Sequence, residues 1–173
     1  ERFLSLFDPA NPKGQKLAGD VDWLQTSAYA IGFNGIYLNL QGRQDIPRVT
    51  LAQKDKVLAE IERKLLRLRD PESGRPVVSR VYRAEEIYSG DYLSRAPDLT
   101  VGYARGFRGS NETALGSFGP DVITDNLDRW SGDHMIAADE VPGILLVNRK
   151  VQRSRPSLVD LPVTILEAYG IDR

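Results

Sequence analysis

The sequence predicts an α/β fold, and three patterns carry that reading. Ala28–Phe33 and Ile36–Leu40 are apolar runs separated by Asn34-Gly35. Asn-Gly is the strongest short hairpin signal, because both residues tolerate positive φ. Leu51, Leu58, Ile61, Leu65 and Leu68 fall at helical spacing and form one apolar stripe. Ile144-Leu-Leu-Val147 is a continuous apolar run bounded by Gly143 and Asn148, the pattern of a strand buried on both faces.

Each element has local signals for its ends. In the hairpin, Ile36, Leu38 and Leu40 alternate with Tyr37 and Asn39, so one face of that strand should be buried. Thr50-Leu-Ala-Gln53 fits a capping box at the start of the helix. Glu60 and Lys64 sit one turn apart on its exposed side. Asp70-Pro71 should end that helix, and Ser73-Gly74 should make the turn. Val77, Val78, Val81 and Tyr82 suggest a short strand, Glu85–Tyr88 one helical turn, and Leu99–Tyr103 another strand. Ser157–Tyr169 reads as a closing helix with Asp160 as N-cap, Pro162 in the first turn and Gly170 as the stop. Leu161, Ile165, Leu166 and Ala168 are expected on its core side. Residues 1–22 read as linker or loop, with an apolar anchor at Phe3, Leu4, Leu6 and Phe7. Residues 104–142 lack a periodic pattern and are rich in glycine, as functional loops often are.

Length and composition set bounds. A chain of 173 residues suits one compact domain, and 41% apolar residues can build a core. With 23 basic and 24 acidic side chains, the net charge of -1 builds no broad positive field, so no nucleic-acid partner is expected. The absence of cysteine excludes disulfides, thiolate metal sites and a cysteine nucleophile within these residues. No apolar run approaches a membrane span, which takes about 20 residues. The only methionine is Met135, so the chain is expected to be processed or part of something longer.

The chemistry converges on one residue. His134 is the only histidine and sits in Trp130-Ser-Gly-Asp-His134, just before the Ile144 run. One imidazole does not make a metal site, since a catalytic zinc takes about three protein ligands and an open position. From spacing alone, a hydrogen-bonding loop histidine is the default. No Gly-x-Ser-x-Gly elbow supports a triad through Ser131, and Gly106-Phe-Arg-Gly109 lacks the ending of a phosphate loop. The paired carboxylates Glu85-Glu86 and Asp139-Glu140 read as solvated surface.

Several segments resemble the type I phosphodiesterase/nucleotide pyrophosphatase group of the alkaline phosphatase superfamily. They are Val21-Asp-Trp23, Ala28–Arg43, Leu68–Gly74, Val81–Tyr88, Ala96-Pro-Asp-Leu99, Glu112–Leu115, Trp130–His134, Val141–Leu146 and the last helix with Asp160 and Thr164. The likeness runs from about Asp20 to the end, and Ser131-Gly-Asp-His134 is its most specific part. It implies that residues 1–173 are the C-terminal part of an alkaline phosphatase-like sandwich: a mixed sheet with flanking helices and a hairpin. It further implies two divalent metal ions, usually zinc, shared with an N-terminal part that carries the nucleophile. His134 matches the late metal ligand of that family. Asp133 would orient the loop or the imidazole, and Arg105, Arg108, Asn111 and Glu112 in the 104–142 active-site loop would line a pocket for a phosphate ester.

The sequence departs from the family in having no Asp-His-Gly motif and no second histidine. Pro162-Val163-Thr164 also places the proline one residue earlier than in relatives. This segment alone is therefore expected to be inactive, with the N-terminal part of the enzyme as its partner. The competing expectation is a non-catalytic α/β binding or regulatory domain that has lost the metal site. A third is a parent enzyme acting on a sulfate ester or a phosphonate.

Overall fold

The computed structural model describes residues 15–16, 21–111, 117–118, 121–127, 129, 132, 135–148, 150–151 and 153–171. The chain forms two compact units, Glu1–Pro142 and Gly143–Arg173. The first holds a mixed α/β arrangement around a four-stranded antiparallel sheet.

That sheet is built from β2 (Ala28–Ile31), β3 (Gly35–Leu38), β4 (Val78–Arg83) and β5 (Leu99–Tyr103), in the order β2-β3-β5-β4. Every strand pairing in it is antiparallel, so the described residues do not form the expected mixed sheet. The reason lies in the connections. Helix α1 (Lys54–Arg67) carries the chain across from β3 to β4. Strand β5 then inserts between them, antiparallel to each.

The hairpin forms with a different turn from the one expected. Ile31 pairs with Gly35, leaving Gly32, Phe33 and Asn34 as the loop. Gly32 supplies the positive φ, at 80°. Gly35 is instead the first residue of β3, where a Cβ would lie 3.3 Å from both Ile31 O and Pro97 Cβ. The glycine is needed there for close packing rather than for the turn.

Binary patterning explains the core. Ile36 pairs with Leu99, and Val81 pairs with Val101, so these side chains share a face with Leu38. Leu58 and Ile61 of α1 complete that cluster, with Val57, Leu65 and Leu68 packed at its margin. Leu51 departs from the expected stripe: it lies in a 3-10 turn before the helix and is 67% exposed. The capping box forms, with Thr50 N donating to Gln53 Oε1 at 3.1 Å. Glu60 and Lys64 pair at 2.8 Å, and this partner holds the Glu60 carboxyl below its usual range. Helix α1 ends at Arg67. The following turn closes on Asp70, whose backbone O accepts from Gly74 N at 2.9 Å, with Gly74 at φ 69°.

Helix α2 (Ala84–Ile87) follows β4 directly. Of the paired carboxylates, Glu86 caps that helix by accepting from Arg83 N at 3.1 Å. Glu85 accepts from Lys54 Nζ at 2.9 Å, and Asp139 sits 3.6 Å from Arg80. Within the expected linker, Gln15–Lys16 forms β1, paired with β6 (Ser117–Phe118). Such pairing uses backbone groups, which an aperiodic side-chain pattern does not reveal. The Phe3–Phe7 anchor lies outside the described residues.

The Lys54–Glu85 pair makes a pH prediction. The Lys54 hydrogen bond comes first among the causes that lower the Glu85 carboxyl below 4.5. A depressed folded-state pKa stabilises the fold above the unfolded value, and that contribution disappears as pH falls through the folded value. Glu85 is half exposed, so Glu85→Gln should cost no more than about 0.5 kcal/mol at neutral pH. The gap from the parent protein should begin to close below pH 4.5, as read from urea midpoints across the acid range.

The second unit contains α3 (Leu161–Ala168). Asp160 stands at its N-cap position, as expected, but caps the 3-10 turn before the helix rather than the helix itself. Asp160 ends a 3-10 turn in helical conformation and accepts from Ser157 N at 2.8 Å, forming a capping box one turn earlier than expected. Gly170 stops the helix with φ 66°. Ile171 N donates to Leu166 O and Gly170 N to Glu167 O, which is a Schellman ending. Two expectations fail here. No residue of α3 is buried, and Ile165 is 55% exposed. Ile144–Val147 is irregular, with Ile144 88% and Leu146 89% exposed. An apolar run becomes a strand only with a ladder partner, and the described residues of this unit provide none.

Candidate functional site

The candidate residues fall at the two ends of the sheet. Because β3 and β5 are antiparallel with Ile36 opposite Leu99, Leu38 and Asp98 meet at one end. The Gly32–Asn34 turn and the loop after Tyr103 meet at the other.

The second end carries three of the residues expected to line a pocket. Arg105 O accepts from Arg75 Nη2 at 2.5 Å, and Arg75 also lies 5.5 Å from the centre of the Phe107 ring. Arg108 Nη2 donates to Asn111 Oδ1 at 2.6 Å. The loop is therefore held by its own contacts, with Arg108 and Asn111 brought together and Arg105 exposed. Glu112, Asp133 and His134 lie outside the described residues, as do Trp130 and Ser131. Among the described residues, no cluster of three or more His, Cys, Asp or Glu side chains is placed to hold a metal.

Gly109 fixes this loop to the hairpin. A Cβ there would fall inside the contact distance of Phe33 O and C. Gly109→Ala must therefore push the loop off the hairpin turn. It should cost roughly 1–3 kcal/mol, the usual range for overpacking. A thermal melt measures the loss; an unchanged midpoint would show that the loop does not press on Phe33.

The first end holds a buried polar joint that the sequence reading passed over. Asp98 is only 4% exposed. Its Oδ2 accepts from Leu38 N at 2.7 Å and pairs with the Arg43 guanidinium. The same Arg43 nitrogen donates to Leu38 O at 2.8 Å. One ion pair thus closes both backbone groups at the end of β3, where the strand ladder stops. Arg43 also lies 5.6 Å from the centre of the Tyr37 ring, which stacks on Tyr29 at 5.7 Å. Burial above all raises the Tyr37 phenol above its usual range.

The neighbouring turn is built as carefully. Gln44 accepts from Leu40 N at 2.8 Å and donates to the Tyr29 hydroxyl at 3.1 Å. Asn39, fully buried, donates from Nδ2 to Trp23 O and Thr26 O, both at 3.0 Å. Two signals could have found this end: a carboxylate in Ala96-Pro-Asp-Leu99 directly before an apolar strand, and an arginine just beyond its partner strand. Neither spacing reveals that residues 55 apart make contact.

Comparison with known proteins found no matching family model, no matching curated protein and no matching solved structure. Among the described residues, no helix is long and apolar enough to cross a membrane.

Proposed function

We propose that the chain is the C-terminal part of a metal-dependent phosphohydrolase, related to the phosphodiesterase/nucleotide pyrophosphatase group, with an alkaline phosphatase-like sandwich completed by an N-terminal part. One observation supports this best. Segments of the resemblance that are distant in sequence, Ala28–Arg43, Val81–Tyr88 and Ala96–Leu99, assemble into one sheet, and Arg43 meets Asp98 where two of them join.

In this reading His134 contributes an imidazole, a donor suited to zinc. The metals would polarise the phosphoryl oxygens and lower the pKa of the attacking hydroxyl. Asp133 would hold the imidazole in its ligand tautomer. Arg108, fixed by Asn111, and Arg105 would offer positive charge to the equatorial oxygens of a phosphate ester.

The test uses the protein together with its upstream sequence. It should hydrolyse bis(p-nitrophenyl) phosphate, lose that activity to a chelator and regain it with zinc. Preference for p-nitrophenyl sulfate would favour the sulfatase alternative. No turnover of phosphate monoester, diester or sulfate, with no metal bound, would favour the binding-domain alternative.

A further inference from the structure

Beside the Arg43–Asp98 joint lies a cleft of about 850 Å³ that belongs to no step of the proposed chemistry. It sits at the sheet end opposite the Arg105–Asn111 loop. Its walls come from separate parts of the chain: the hairpin, the turn after it, the starts of α1 and α2, and the 3-10 turn Leu93–Arg95.

The charges lining it are uneven. Arg43, Lys54 and Arg95 face Glu85 and Asp98. Arg43 is committed to Asp98, and Lys54 to Glu85. Arg95 has no carboxylate within ion-pair distance among the described residues. Its guanidinium instead lies 5.3 Å from the centre of the exposed Tyr92 ring. A cation with only a π-face for a partner can form a charge-assisted hydrogen bond with an incoming anion without breaking an existing ion pair. Lys54 is the second available cation, since its partner Glu85 is half exposed and the pair is weak.

The uncharged lining has a polar part, Gln41, Gln44 and Ser94, and an apolar part. Leu40, Ala84, Leu93 and the two tyrosine rings supply the apolar part. Tyr37 already stacks on Tyr29 and carries the Arg43 guanidinium over its ring. A cleft with one uncommitted cation and an apolar wall selects a ligand with an anionic head and a compact apolar body.

We propose that this cleft is a binding site for a small organic anion, with Arg95 receiving its charged head and Leu93, Ala84 and the tyrosine rings its apolar body. The site stands apart from the hydrolase reading. It neither uses His134 nor lies at the loop end of the sheet.

Titrating phenylphosphonate into the protein while following amide shifts by NMR tests it. Saturable binding with a Kd below about 1 mM is expected, with shifts centred on Tyr37, Ala84 and Arg95. Arg95→Ala, an exposed change that leaves the core intact, should weaken binding at least about tenfold, worth 1.4 kcal/mol. Arg63→Ala, which removes the same charge from the exposed side of α1, should leave binding unchanged. Inorganic phosphate, which lacks the apolar body, should bind at least about tenfold more weakly. Absence of saturation, shifts centred on the Arg105–Asn111 loop, an unchanged Kd in Arg95→Ala, or equal affinity for inorganic phosphate would each overturn the assignment. Hydrolytic activity has no bearing on any of these outcomes.

Discussion

Asp98→Ala should destabilise the protein by about 3 kcal/mol or more, the cost of removing one partner from a buried ion pair. The loss has three parts. Leu38 N is left without its acceptor in a region almost closed to solvent. The Arg43 guanidinium keeps its positive charge with no counter-charge. The anchor between β3 and β5 is lost where their register consists of only two paired positions, Gly35–Thr100 and Ile36–Leu99. Asp98→Asn retains an oxygen for Leu38 N and should cost less, on the order of 1.5–3 kcal/mol for the lost charged hydrogen bond. Urea denaturation resolves the two. A double-mutant cycle isolates the pair: Asp98→Ala should cost clearly less in an Arg43→Met background, where no charge is stranded. Equal costs in both backgrounds would mean that the ion pair contributes nothing.

The second large effect concerns His134. Under the hydrolase proposal, in the protein with the upstream part that proposal requires, His134→Ala should lower bound metal and phosphodiester turnover together. The rate should fall by more than about 100-fold, since losing a partner that merely orients a ligand already costs 10- to 100-fold. Asp133→Asn should fall within that smaller range. Elemental analysis alongside the rate, with a thermal melt as the control, separates metal loss from damage to the fold. Normal metal content in His134→Ala would remove the ligand assignment.

These two predictions mark what the sequence could and could not reveal. Helix α1 was legible because Leu58, Ile61 and Leu65 fall on one face, and periodicity is a property of the sequence itself. The hairpin was legible from its flanking strands, yet its turn was misplaced by two residues. Gly35 was read as conformational freedom when it serves close packing against Pro97. The Ile144 run misled for a related reason: hydrophobicity states that burial would be favourable, not that a partner strand exists. The contact that makes the Asp98 joint could not be read, because its partners are brought together only by inserting β5 between β3 and β4. Asp98 and Arg43 both stood inside recognised segments, but their significance is tertiary.

The strand order also has a kinetic consequence. The β2–β3 hairpin closes a short loop, whereas the bond from Leu38 N to Asp98 spans 60 residues. Closing a loop of that length costs entropy that no neighbouring contact repays until β4 and α1 are already docked. The hairpin and the β4–β5 pair should therefore assemble as separate local pieces. Their union through the salt link would come last, so weakening that link should speed unfolding far more than it slows folding.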